Sequence, residues 1–242
     1  VINVKTIGLI GGMSWESTAA YYRLINEMTA EALGGLHSAK IVVVSIDYHD
    51  LERLQATSDW ITAGEILART GEQAQAAGAE MMLICSNTMH KVAHAVVDRI
   101  SVPLVHIGEA TAHCLIANGV TTIGLLGTRY TMCQDFYTGL LEEMGLEVIL
   151  PESSSINMVN SVIFNELRHG VINDESRENY RKVIESMKQR GAQAVVLGCT
   201  EVGLLVNEAT SPLPVYNTTR IHAHAAVHRS LADEKNCRLP RL

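Results

Sequence analysis

The sequence contains no long apolar run, no basic run and no paired-cysteine motif, and each absence removes a class of function. Nothing approaches the about 20 consecutive apolar residues that a membrane-spanning helix needs, and no secretory signal is expected. Lys and Arg number 19 against 26 Asp and Glu, a net charge of -7. A mildly acidic chain of this kind argues against nucleic acid and against an anionic membrane surface as partners. The five cysteines, Cys85, Cys114, Cys133, Cys199 and Cys237, are odd in number and widely scattered. That pattern excludes a disulfide framework and a zinc knuckle, and fits reduced thiols in the cytoplasm. The ten histidines form no HExxH set, and Gly8, Gly11 and Gly12 do not make the G-x-G-x-x-G of a dinucleotide site. No low-complexity linker divides the chain.

What is present is an alternation of short apolar runs and helical patterns. With 242 residues, 47% hydrophobic and 19% charged, the chain can form one large α/β domain or two smaller ones. The spacing predicts strands over 6–10, 41–46, 81–85, 104–107, 122–126, 148–150, 194–197 and 215–216. Their nearly continuous apolar character suits parallel strands covered on both faces. Tyr21, Leu24, Ile25 and Met28 follow helical spacing, as do Tyr180, Val183, Ile184 and Met187. Ser14 is placed to cap the first helix, with Glu16 in its first turn. Gly34, Gly78, Gly145 and Gly191 mark helix ends. The βαβα order reads as an α/β fold with parallel sheets flanked by helices.

The most informative feature is internal repetition. Residues 6–12, TIGLIGG, recur as TIGLLGT at 122–128. Gly78-Ala79-Glu80 ahead of one strand recurs as Gly191-Ala192-Gln193 ahead of another. Val102-Pro103-Leu104-Val105 recurs as Leu213-Pro214-Val215-Tyr216. The separations are 116, 113 and 111 residues, and the order is the same. General likeness among α/β strands explains the apolar runs but not the common offset. The chain therefore reads as two copies of one α/β unit.

In parallel sheets ligands bind beyond the carboxyl ends of the strands. Four unusual segments fall at such ends: Gly11-Gly12-Met13-Ser14, Ser86-Asn87-Thr88, Gly127-Thr128 and Cys199-Thr200-Glu201. The repeat sets Ser86 against Cys199 and Asn87 against Thr200. Acid/base groups acting on opposite faces of one carbon are what racemisation needs, since one takes the α-proton and the other returns one. The α-carbon of an amino acid is a very weak acid, so the site must also stabilise the carbanion electrostatically. Asn87, Thr88, Thr128 and Thr200 offer donors for an α-carboxylate. A thiol suits the base role because its ordinary pKa, about 8.5, can be lowered by nearby donors.

Ser86-Asn87-Thr88-Met89-His90, Gly198-Cys199-Thr200-Glu201 and the opening 7–14, IGLIGGMS, resemble the aspartate/glutamate racemase family along essentially the whole chain. That family uses two cysteines without pyridoxal phosphate or metal, in Cys-Asn-Thr and Gly-Cys-Thr-Glu settings. The second motif stands intact here, and Ser86 occupies the position of the first cysteine. The sequence is similar to the enterobacterial-type L-aspartate/glutamate racemase branch, which carries Thr at that position. The resemblance implies two pseudo-symmetric lobes, an active site in the interlobe cleft, no cofactor and a homodimer. It also implies a C-terminal return, giving a first lobe of 1–105 plus 212–242 and a second of 106–211. It casts Cys199 and Ser86 as catalytic groups, with substrate held by Gly12, Met13, Ser14, Asn87, Thr88, Thr128, Thr200 and Glu201. Arg168 stands where related aspartate racemases hold a basic residue for the side-chain carboxylate; otherwise it is an exposed helix-end arginine. A hydroxyl cannot match a thiol as a base near neutrality, but it can hydrogen-bond or relay a proton through water.

Several residues stay open to plainer readings. Cys85, adjacent to Ser86 on a strand, is expected to face the core. His90 either orients a site group or packs on a helix face. His222, His224 and His228 are expected to be solvated on an amphipathic C-terminal helix. Asp47 and Arg53 are weaker site candidates. Two competing functions are a single-thiol decarboxylase or isomerase of the same superfamily, resembling arylmalonate decarboxylase, and a two-lobed amino-acid-binding protein that has lost a base.

Overall fold

A computed structural model of the chain describes residues 4–232. Strand β1 (Ile7–Gly11) leads into helix α1 (Trp15–Leu33), then β2 (Ile41–Ser45), α2 (Tyr48–Ala56), α3 (Trp60–Ala76) and β3 (Met81–Ile84). After α4 (Ala93–Val97) and α5 (Ile107–Ala117) the pattern restarts with β4 (Thr122–Gly127). There follow α6 (Arg129–Cys133), α7 (Asp135–Glu143), β5 (Glu147–Ile149), α8 (Ser153–Asn165), α9 (Asp174–Gln189), β6 (Ala194–Gly198), β7 (Val215–Asn217) and α10 (Thr218–Ser230).

The strands form two parallel sheets, in the orders β2-β1-β3 and β5-β4-β6-β7. The sequence repeat is realised as equivalent ladders. Ile7 pairs with Met81 in the first sheet, and Ile123 pairs with Ala194 in the second. Met82 N–H donates to the Pro103 carbonyl at 2.9 Å, and Val195 N–H donates to the Pro214 carbonyl at 2.9 Å. The Glu80 side chain accepts from Thr6 N–H at 2.7 Å, where Gln193 accepts from Thr121 N–H at 2.8 Å. Parallel pairing covered by helices explains why β1, β3 and β6 are buried along their whole length. Each fully buried Ile, Leu or Val there contributes about 1.5–3 kcal/mol.

The chain divides into two units, one of residues up to Ile107 together with those from Thr219, the other Gly108–Thr218. The boundaries differ from those implied at 105 and 211. Residues 212–218 stay with the second unit because β7 pairs with β6, Val195 opposite Val215. Among the described residues, those from Thr219 return to the first unit, where Ala223, Ala226, Val227 and Leu231 join a core with Ile7, Leu9, Tyr21 and Ile25. The strand expected over 104–107 reduces to one bridge, Met82 to Leu104, because α5 begins at Ile107. In the second unit Leu125, Leu126, Tyr137, Val159, Tyr180, Ile184 and Met187 are buried. The amphipathic face expected of the last helix is absent. His222 is fully buried, His224 is half-buried, and only His228 of the three is exposed. Cys237 lies outside the described residues.

Candidate active site

The first unit presents two neighbouring strand ends, since Ile10 of β1 pairs with Ile84 of β3. After β1 the chain turns through Gly12, whose φ is 92°. A Cβ there would lie 2.0 Å from the Ile46 carbonyl oxygen, so only glycine fits. Thr18, on the first turn of α1, fixes this turn. Its hydroxyl accepts from Gly12 N–H at 2.8 Å and donates to the Ser14 carbonyl at 3.0 Å. Ser14 caps α1 as expected, accepting from Ser17 N–H at 3.3 Å. The Met13 side chain is buried in a core cluster with Ile10, Leu51 and Met89, so only its backbone can face a ligand.

After β3, Cys85 turns into the core and is fully buried, which pushes its thiol pKa up. Ser86 is half-buried, Asn87 and Thr88 are buried, and a 3₁₀ turn runs over Thr88–Val92. His90 is buried beneath this turn. Its Nδ1 lies 2.7 Å from the Ser86 carbonyl oxygen, and its Nε2 accepts from Ile107 N–H at 3.2 Å. Asp47 caps α2, accepting from His49 N–H at 3.0 Å, and Arg53 is exposed.

The second unit repeats the arrangement, with Gly127 of β4 opposite Gly198 of β6. Thr128 is buried and caps α6, accepting from Thr131 N–H at 3.3 Å. Cys199, in extended conformation, begins a 3₁₀ turn over Thr200–Leu204. Its thiol donates to Glu201 Oε2 at 2.9 Å. Thr200 and Glu201 are half-buried. Arg168 stands in a 3₁₀ turn, its guanidinium 4.3 Å from the centre of the Phe164 ring.

Electrostatics at Cys199 differ from the expectation that donors would lower its pKa. The thiol is raised well above its ordinary value, first by burial and then by the Glu201 carboxylate. The Glu201 backbone N–H and the Arg168 charge pull the other way, and they are outweighed. Cys199 therefore rests as a thiol aimed at a carboxylate. The repeat and the strand ends mark Cys199 and Glu201, and the family resemblance marks Arg168; in the structure Glu201 lies 2.9 Å from the Cys199 thiol, which also feels the Arg168 charge. The sequence left His90 open, set His222 at the surface and gave no role to Thr18. The only signal for Thr18 was helical spacing from Ser14. For the distant His222 there was none.

Among the described residues no three His, Cys, Asp or Glu side chains are arranged to hold a metal ion. No helix among them is long and apolar enough to cross a membrane.

Residues 10–226 match the Asp/Glu/hydantoin racemase family. A Yersinia pestis protein proposed to be an Asp/Glu racemase is 49% identical, with a TM-score of 0.89 over 94% of this chain and 99% of its own. An aspartate racemase homologue from Pyrococcus horikoshii is 32% identical, with a TM-score of 0.83 over 93% and 99%. An aspartate racemase from Picrophilus torridus, 20% identical, shares the fold with a TM-score of 0.77 over 98% and 96%. With matching strand ends, an intact Gly-Cys-Thr-Glu turn and these likenesses over nearly its whole length, the chain belongs to the Asp/Glu/hydantoin racemase family and is an isomerase of that type.

Proposed function

We propose that the protein racemises an amino acid of the aspartate/glutamate class, using Cys199 and Ser86 as its acid/base groups and neither pyridoxal phosphate nor metal. The observation that carries this assignment is the grouping around Cys199. A buried thiol donates to a carboxylate at 2.9 Å, and a guanidinium acts on the same sulfur. The resting thiol must lose its proton before it can serve as a base. Glu201 is the acceptor already in contact. Transfer along that hydrogen bond leaves one negative charge shared by two groups instead of two. Arg168 and the incoming α-ammonium favour the thiolate that forms.

The thiolate then removes the α-proton of the L enantiomer. A proton reaches the opposite face of the carbanion from the Ser86 hydroxyl or from a water bound to it; solvent restores that proton, and Glu201 releases the proton it took, which closes the cycle. Asn87, Thr88, Thr128, Thr200 and the Gly12–Ser14 turn supply hydrogen-bond donors to the substrate, and Arg168 takes the side-chain carboxylate. The protein acts as a cytoplasmic homodimer.

A hydroxyl is a poor base, so the two enantiomers are not treated alike. In heavy water, α-proton washout from the L enantiomer outpaces washout from the D enantiomer. Free enantiomers have equal energy, so the difference shows in washout more than in net racemisation. Cys199→Ser abolishes washout in a folded protein, and Ser86→Cys raises D-side washout and net racemisation together. Exhaustive chelation leaves both rates unchanged. Near-parental washout by folded Cys199→Ser, or activity lost on chelation and restored by a metal, would overturn the assignment.

A further inference from the structure

Two buried histidines of the first unit have both ring nitrogens committed, and their partners fix their protonation. Ser86 O can only accept, so His90 carries its proton on Nδ1 and presents a bare Nε2 to Ile107 N–H. Val105 O can only accept, so His222 carries its proton on Nε2, at 2.7 Å. Its Nδ1 then accepts from the Tyr21 hydroxyl at 2.8 Å. The rings of His90 and His106 lie edge to face at 4.6 Å, and those of His90 and His222 at 5.6 Å. With both nitrogens of His90 and His222 occupied, the group is neither a metal site nor a set of proton donors for substrate. Apart from the Tyr21 hydroxyl, the partners of these two rings are backbone atoms of the Ser86 turn and of 105–107, where the chain leaves the first unit.

We infer that His90 is a positioning residue for Ser86: one neutral ring ties the Ser86 carbonyl to the first amide of α5. The inference rests on Ser86 being an acid/base group of the racemase. A serine hydroxyl is one bond from its backbone, so its place against a substrate is set by where that backbone is held. Beyond the Nδ1 bond, the turn gives Ser86 only a long contact, Met89 N–H to Ser86 Oγ at 3.4 Å. The His90 tie is shorter and crosses 17 residues to reach Ile107. The same ring that holds Ser86 also accepts from the N–H of Ile107 at the start of α5.

Two near-isosteres divide the two bonds. An Asn amide nitrogen falls near the Nδ1 position, and a Gln amide falls near the Nε2 position. His90→Asn therefore keeps the tie to Ser86 O, and His90→Gln keeps only the acceptor for Ile107. Alpha-proton washout in heavy water is followed from each pure enantiomer of aspartate and glutamate. In His90→Gln, D-side washout falls roughly tenfold or more, the scale of a small misplacement of a reacting group, and L-side washout stays within roughly twofold. In His90→Asn most of the D-side rate returns. Loss of both sides in parallel, or equal loss in the two variants, would show a merely structural histidine and overturn the inference. If His90→Gln does not fold, nitrogen NMR of the parent decides: the Nδ1–H tautomer at His90 supports the tie, and the Nε2–H tautomer refutes it. A parent that exchanges neither enantiomer would overturn the racemase assignment and the inference with it, and that control separates the two failures.

Discussion

Glu201 holds the Cys199 thiol at 2.9 Å, and its charge is one reason that the thiol resists ionisation. A carboxylate disfavours a neighbouring thiolate, so removing the charge lowers the thiol pKa. It also removes the acceptor of the thiol proton, and burial, the larger cause, still holds the thiol up, so in Glu201→Gln the acid limb of L-side washout becomes the thiol's own ionisation and moves to higher pH. A limb that stays or moves down would remove Glu201 as the acceptor of the thiol proton. His222 works in the opposite direction. Burial, with the His106 and Arg229 charges adding to it, holds its pKa down to about 3 against the bond to Val105. Tyr21 and His90 face the same ring. The folded state thus binds fewer protons than the unfolded chain between about pH 3 and pH 6.5. Stability is fully present above that window and is lost as pH falls through it. Replacing His222 with Gln, which keeps a donor for Val105 O, flattens the acid side of Tm against pH. The change is read at about 2–4 °C per kcal/mol for a chain of this size. An acid slope identical to the parent's would remove His222 from the account.

Between β1 and α1 the element boundary is made by one backbone geometry. Gly12 combines a φ of 92° with an approach to Ile46 that leaves no room for a Cβ. Gly191 has a φ of 106° but open space around its Cβ position. Gly191→Ala therefore bears only the conformational penalty, about 1–2 kcal/mol. Gly12→Ala adds a clash with backbone that cannot move without breaking the bond from Ile46 N–H to Gly11 O at 3.1 Å, and costs more, above about 3 kcal/mol. Urea midpoints of the two variants measure the difference, and equal losses would mean that the Gly12 turn yields easily. Much at this scale was legible in the sequence. Ser14 caps α1, Tyr180 and Met187 face the core, and Cys85 turns inward, because caps and periodicity are local properties. The segment 104–107 was misread for the same reason. Apolar residues read as strand, but Ile107 N–H bonds to a histidine 17 positions away and starts a helix.

The two sheets impose different requirements on the chain. Gly108–Thr218 contains all four strands of its sheet and its own buried core. The first unit needs α10, from the far end of the chain, to complete the core around Ile7, Leu9 and Tyr21. A fragment of 108–218 is therefore expected to fold alone, with cooperative urea unfolding and a helical far-ultraviolet spectrum. A fragment ending at 107 is expected not to fold. Cooperative unfolding of the shorter first fragment would show that α10 is dispensable.

By itself the sequence determined the α/β class, the twofold repeat, the strand ends that carry Ser86 and Cys199, and the family. These follow from local pattern, because hydrophobic period, caps and short motifs need no distant partner to be recognised. Only the tertiary structure decided that β7 belongs with β6, since strand pairing is a choice among distant segments. It alone decided that Cys199 rests as a thiol, because burial and the direction of a carboxylate are properties of the folded environment. It also turned His222 from an expected surface residue into a buried partner of Tyr21 and Val105, across 201 and 117 residues of chain. A hydrogen bond at that separation leaves no periodic trace in the sequence.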